Sequence, residues 1–309
     1  MLSRYFIYLI LAMMTVSCCP CTQAYKEQYA YLKKPCRLAT PMAESDFFLV
    51  LLVDARHLDY SDNRSLMRTL VKHPSDGSKN SDVGHAWIYL RGISDGVPIE
   101  IEGGHSGERG LHQAKYFEGV MNNIAYGCPN PTAEDKLHPT YEPNPIKYLW
   151  DVQRDGFFQE GCGRHRPTFA AKVDITEEQF WEIIAFMDPG SYRYSRYAIT
   201  VDQCCSFVSR IAALAGLEVD CDITISIDQQ VSLGGVRYTL WEDPHYATLT
   251  FSSPDVVERS LVYAVREGRA QSALAWYLST HKRPRHERLQ ECWETLIRFP
   301  ERILRVICL

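Results

Sequence analysis

The sequence predicts an α+β domain in which a small antiparallel sheet packs on a helix that opens with two adjacent cysteines, followed by a helical C-terminal extension. Three observations carry that expectation. The runs "SDFFLVLLVDARHL" (45–58), "VGHAWIYLRG" (83–92) and "GVPIEIEGG" (96–104) are apolar, aromatic or alternating, as strands are. "EEQFWEIIAFM" and "CCSFVSRIAALAGL" place apolar residues at helical spacing. From about residue 253 the chain reads as helix after helix, with breaks at Pro284 and Pro300.

The opening 24 residues are read as a leader rather than as fold. Arg4 precedes an apolar run from Tyr5 to Val16. That run is shorter than the ~20 residues a membrane span needs. It fits the apolar core of a signal peptide, with "TQA" ending at Ala24 as the cleavage site. "TVSC", ending at Cys18, resembles a bacterial lipoprotein box with Thr15 where leucine is usual, and a retained anchor is the third reading. Each of the three takes the protein out of the cytoplasm. A lead-in covers 25–45, the main domain 46–252 and the helical extension 253–309.

The first strand (45–58) is followed by a polar stretch read as a loop with one helical turn near Leu66. The strands at 83–92 and 96–104 are joined through "ISDG", a hairpin connection. Residues 105–165, with five prolines from Pro129 to Pro145, read as an irregular excursion. "FAAKVDIT" (169–176) is the next strand, and Thr176 with Gln179 forms a capping box for the helix that Asp188-Pro189-Gly190 ends. The second helix starts at Cys204 and stops at Gly216. "CDITISI", "VRYTLW" and "ATLTFS" within 221–252 read as short strands or extended loops, and Ser253-Pro254 starts a further helix.

The chain has 309 residues, 46% hydrophobic and 23% charged, with a formal net charge of -5, so the basic footprint of a nucleic-acid binder is missing. Outside the leader no CxxC pair has zinc spacing, and no metal or organic cofactor is called for. In the tail Lys282, Arg283, Arg285 and Arg288 form a basic patch, read as a solvated linker or as contact with an anionic membrane surface.

Chemistry concentrates at the cysteine pair. A thiol attacks only as thiolate, and a helix N-terminus or a neighbouring imidazole lowers its pKa. Cys204 stands at the mouth of the helix, three residues before Phe207, where the apolar face begins; Cys205 reads as a small packing residue. His85 interrupts an apolar strand that gives no propensity reason for a histidine, which makes it the candidate base. His105 follows the next strand in the glycine-rich "EGGHSGE".

"VGHAWIYL" followed much later by "DQCCSFVSRIAALAGL" resembles the circularly permuted branch of the NlpC-type papain-like cysteine hydrolases, the branch of YiiX-like bacterial proteins and lecithin retinol acyltransferase. The resemblance covers roughly 46–217 and leaves the tail unexplained. It implies a permuted papain-like fold in which the histidine strand precedes the nucleophile helix. Gln203-Cys204-Cys205-Ser206-Phe207-Val208 matches the nucleophile motif with Cys204 as nucleophile and Gln203 in place of the usual asparagine. It further implies a polar third member on the strand after His85: Glu102, with His105 as the alternative. The implied function is an exported thiol hydrolase or acyltransferase acting on an amide or ester bond of a cell-wall peptide or a lipid. The other reading is a non-catalytic envelope lipoprotein that keeps the fold as an interaction module.

Overall fold

The centre of the molecule is a strand with no exposed face. The computed structural model describes residues 23–33, 45–72, 83–107, 116, 119–120, 123–124, 132–137, 141–163, 165–233 and 235–281. In it β1 (Phe48–Ala55) is buried at every position. Its apolar side chains each contribute about 1.5–3 kcal/mol relative to exposure. Such a continuous run needs cover on both sides, and the sheet around it supplies that. The expected leader through residue 22 and the basic patch after His281 lie outside the described residues.

β1 pairs antiparallel with β2 (Gly84–Ser94) on one side and β5 (Phe169–Asp174) on the other. β2 turns into β3 (Val97–Ser106) through Asp95 and Gly96, whose φ values of 50° and 77° are those of a tight two-residue hairpin turn. β4 (Phe157–Glu160) extends that edge and β10 (Gln271–Ser272) the other, giving the order β10-β5-β1-β2-β3-β4. The fold is thus mixed helix and strand around an antiparallel sheet, the α+β class expected. Two separate ribbons, β6 (Asp222–Ser226) with β9 (Thr248–Ser252) and β7 (Gln230–Leu233) with β8 (Val236–Thr239), occupy the stretch read as strands or extended loops.

Alternation sorts the sheet's residues between two faces. Leu49, Leu51 and Val53 of β1 and Ala86, Ile88 and Leu90 of β2 face the main core. There they meet α3 (Glu177–Met187), α4 (Cys204–Leu214) and α5 (Pro254–Arg266). Phe48, Val50, Leu52, Trp87 and Tyr89 face the other way, under Tyr277 of α6 (Leu274–Thr280). The α3 capping box forms as expected: Thr176 Oγ1 accepts from Gln179 N at 3.2 Å and Gln179 Oε1 from Thr176 N at 2.9 Å. Gly216, at φ 76°, ends α4; its N–H reaches Ala213 O, and that of Leu217 reaches Ala212 O.

Three expectations change. The single turn near Leu66 is a ten-residue helix, α2 (Asn63–Lys72), because Asp62 caps it by accepting from Ser65 N at 2.8 Å. The excursion 105–165 contains β4, a short strand that pairing with β3 creates. The C-terminal extension is no appendage as far as residue 281. Val257 and Leu261 of α5 are fully buried in the main core, and β10 completes the sheet, so the boundary near 253 falls inside one packed body. At the other end α1 (Gln23–Gln28) leads to Tyr29 and Tyr31, which bury against Val262 of α5.

Candidate active site

The start of β2 and the start of α4 come together at one place. Gly84 opens β2 at φ 97°, and a side chain there would collide with Asp54 O at 2.1 Å, so only glycine lets β2 enter the sheet so close to β1. His85 follows at once. Alternation sets Ala86 toward α4 and His85, with Trp87, toward the other face, at the start of the strand. It stacks on Trp87 (centroids 5.8 Å, 14°), and its imidazole, with the Ala86 backbone, lies close enough to the Cys204 thiol to draw its pKa down.

Cys204 is held by the local chemistry of its helix start. Gln203 is the N-cap, and its Oε1 accepts from Cys205 N at 2.9 Å and faces Cys204 Sγ at 3.2 Å. Ser206 Oγ returns the contact by accepting from Gln203 N at 2.9 Å. Gln203 Nε2 donates to Ser252 O, which ties the helix start to the end of β9. The Cys204 thiol is held well below the usual range. Its hydrogen bond with the Cys205 thiol is the largest cause, burial opposes the shift, and the His85 imidazole and Ala86 N–H add to it. The two sulfurs are 3.8 Å apart. Cys205, fully buried, is pushed up by burial and by the thiolate beside it. It therefore packs, as expected, and in addition acts as a hydrogen-bond donor to its neighbour.

The two residues considered for the third role lie elsewhere. Glu102 pairs in register with Tyr89, four residues along β2 from His85, which is about 13 Å at strand rise. Its carboxylate accepts from Trp87 Nε1 at 3.1 Å and from Tyr277 OH, and lies 3.7 Å from His281 Nε2. His105 falls on the helix-facing side of β3, in an aromatic nest of Tyr192, Tyr194, Tyr197 and Phe207. Its Nδ1 meets Tyr192 OH and its Nε2 meets Tyr194 O, each at 2.9 Å. Burial pushes its pKa down to about 4, so it is a neutral core histidine near pH 7. Register thus sets Glu102 apart from His85, and both His105 ring nitrogens are engaged by Tyr192 and Tyr194 on the helix-facing side.

Two residues not singled out in the sequence stand where those were expected. Asp54 is the direct partner of His85 across β1 and β2. His165 stacks on His85 with centroids 4.7 Å apart and planes at 28°, and its Nδ1 lies 2.9 Å from Asp54 Oδ2. An acidic residue closing the apolar run "FFLVLLVD" is the one local signal that marked Asp54. Nothing near His165 in "GCGRHRP" marks it.

Cys162, Cys204, Cys205 and Cys221 are free thiols. Among the described residues no group of three or more His, Cys, Asp or Glu side chains is placed to hold a metal ion. Also among them, no helix is long and apolar enough to cross a membrane. Compared with protein-family models, curated proteins and solved structures, the chain matches none. The functional reading rests on the geometry.

Proposed function

We propose that this chain is a thiol hydrolase or acyltransferase of the circularly permuted papain-like class, with Cys204 as nucleophile and His85 as base. The observation that carries it is the pairing of a helix-start thiol with an imidazole from an earlier strand, in a setting that holds the thiol down. His85 takes the Cys204 proton as the sulfur attacks an amide or ester carbonyl. The tetrahedral oxyanion then collapses, the departing amine or alcohol takes the proton from His85, and an acyl thioester remains on Cys204. Water or an acceptor hydroxyl, deprotonated by His85, breaks the thioester and restores the thiol. Of the donors at the helix start, the Cys205 N–H is already given to Gln203 Oε1, which leaves the Cys204 N–H to meet the oxyanion.

Export, a cell-wall peptide or lipid as substrate, and contact with a membrane surface through the leader or the basic tail belong to this reading. Mass measurement of the mature N-terminus tests export. A start at Cys18 with acylation or at Tyr25 supports it, and an intact Met1 in a cytosolic fraction overturns it.

The second reading, a non-catalytic module that keeps the fold, is favoured by one observation: Cys204 and His85 are each only 4% exposed. One experiment separates the two. The folded protein is incubated with p-nitrophenyl esters of short and long acyl chains and then peptide-mapped. An acyl mass on the Cys204 peptide with release of nitrophenolate supports the enzyme. Failure to acylate, together with a thiol that titrates near the free value of ~8.5, supports the module.

A further inference from the structure

We propose that His165, held by Asp54, is the positioning residue for the His85 imidazole, in the role expected of Glu102 or His105; the inference rests on the thiol-hydrolase reading. A base that passes a proton between sulfur and leaving group needs its ring plane fixed and its charged form supported. His165 meets the first need. Its ring lies against that of His85 at 4.7 Å and 28°, and Trp87 completes a three-ring cluster, 5.8 Å from His85 and 6.5 Å from His165. His165 is itself fixed from two sides. Its N–H donates to Cys162 O at 2.9 Å in the turn after β4, and its Nδ1 is bonded to Asp54.

Asp54 meets the second need. It sits opposite His85 in the sheet register, so its carboxylate projects from the same face of the sheet as the imidazolium that forms when Cys204 loses its proton. Asp54, His85 and His165 are all buried, where charge is screened less than in water. Arg56 Nη2, 3.5 Å from Asp54 Oδ2, shares that carboxylate. In this role His165 would donate Nδ1–H to Asp54 as a neutral ring, because a second imidazolium stacked on His85 would oppose its charging. The charged and titratable groups around His85 are Asp54 from β1, Arg56 just after it, His165 from the turn after β4, and Cys204 and Cys205 from α4. His57 and Asp255 lie beyond them.

The test follows Cys204 alkylation by iodoacetamide between pH 4 and 9 on the full chain, with thermal melts as the check of folding. It compares the wild type with His85→Ala, His165→Ala, His165→Phe and Glu102→Gln. Expected is an upward move of the inflection by about one unit in His165→Ala, read as roughly tenfold slower labelling below the inflection. His165→Phe keeps a ring against His85 without the Asp54 bond and moves part of the way; Glu102→Gln stays at the wild-type value. His165 variants that keep the wild-type inflection while His85→Ala shifts it overturn this inference and leave the thiol-hydrolase reading standing. A wild-type inflection near ~8.5 overturns both. Imidazole 15N shifts of the wild type decide the matter even if His165→Ala does not fold. A neutral Nδ1–H tautomer of His165 at pH 7 is expected, and a protonated ring or the Nε2–H tautomer overturns the assignment.

Discussion

Two buried clusters of titratable side chains leave the end of β1 within a few residues of each other, and they do opposite things. Asp54 leads to His165, His85 and Cys204. His57 leads to Asp255 and Glu258 on α5. In the second cluster one carboxylate collects four donors: Asp255 accepts from His57 N at 2.8 Å, Leu58 N at 2.9 Å, and Tyr29 OH and Tyr60 OH at 3.0 Å each. Burial still pushes Asp255 up. Burial would also raise Glu258, but His57 Nε2 at 2.7 Å and Tyr31 OH at 2.6 Å bring it down instead. These bonds join the stretch 23–33, the chain after β1, and α5. In the first cluster the titrating atoms face each other as thiol and imidazole at a helix start. Burying charge does not by itself make a site, since both clusters do it. What separates them is whether the groups are consumed in joining elements or left as a thiol beside an imidazole.

The sharpest way to break this contrast is to exchange the expected losses. Cys204→Ala should remove ester turnover and the acyl adduct, a loss of at least about a thousandfold, with little change in the urea midpoint. Asp255→Ala should do the reverse. Unfolding free energy should drop by about 3–5 kcal/mol, because buried donors lose their shared carboxylate. The pH profile of thiol labelling in the folded fraction should hold. A shifted profile in Asp255→Ala would mean that the clusters are one.

The next effect belongs to His105. Its folded pKa, about 4, lies below the unfolded value of 6.5, so the unfolded chain binds the proton first as pH falls. Stability is therefore full above about pH 6.5 and falls toward pH 4, by roughly 3 kcal/mol in all. His105→Gln should flatten that part of the stability curve without moving thiol labelling. The last comparison separates the two cysteines. Cys205→Ala should raise the Cys204 labelling inflection by at least about a unit, because the Cys205 thiol does most to hold Cys204 down, and Cys205→Ser, which keeps a donor, by less. An equal loss of activity in Cys205→Ser and Cys204→Ala would reverse the assignment of nucleophile.

Residues whose role is set by their neighbours in the chain were legible in the sequence. The place of Cys204 at a helix start was, because it precedes an apolar helical face; Thr176 with Gln179 was, because a capping box spans one turn. His85 stood out against the apolar strand that carries it. Residues whose role is set by pairing were not. Glu102 and His105 lie three apart on one strand, so alternation sends them to opposite faces, and the β2–β3 register then carries Glu102 four residues away from His85. His165 reaches the site only because β4 pairs with β3 and turns back over the sheet, which no local pattern announces. The helix α5 was visible as a helix from its apolar spacing. That it lies on the same core was not, since docking depends on the sheet it meets.

The late arrival of α5 and β10 has a consequence for synthesis. β1 ends at Ala55, but the helix over it begins at Pro254 and the outer strand of its sheet at Gln271. A ribosome adding roughly 5–20 residues per second leaves β1 waiting on the order of 10–40 s for that cover. Throughout that time eight consecutive residues that end up buried have only part of their cover to enter. Contacts so distant along the chain also slow closure once synthesis is complete. The nascent chain is thus a client for holding chaperones, and a chain halted before residue 254 is expected to aggregate rather than to fold as a smaller domain.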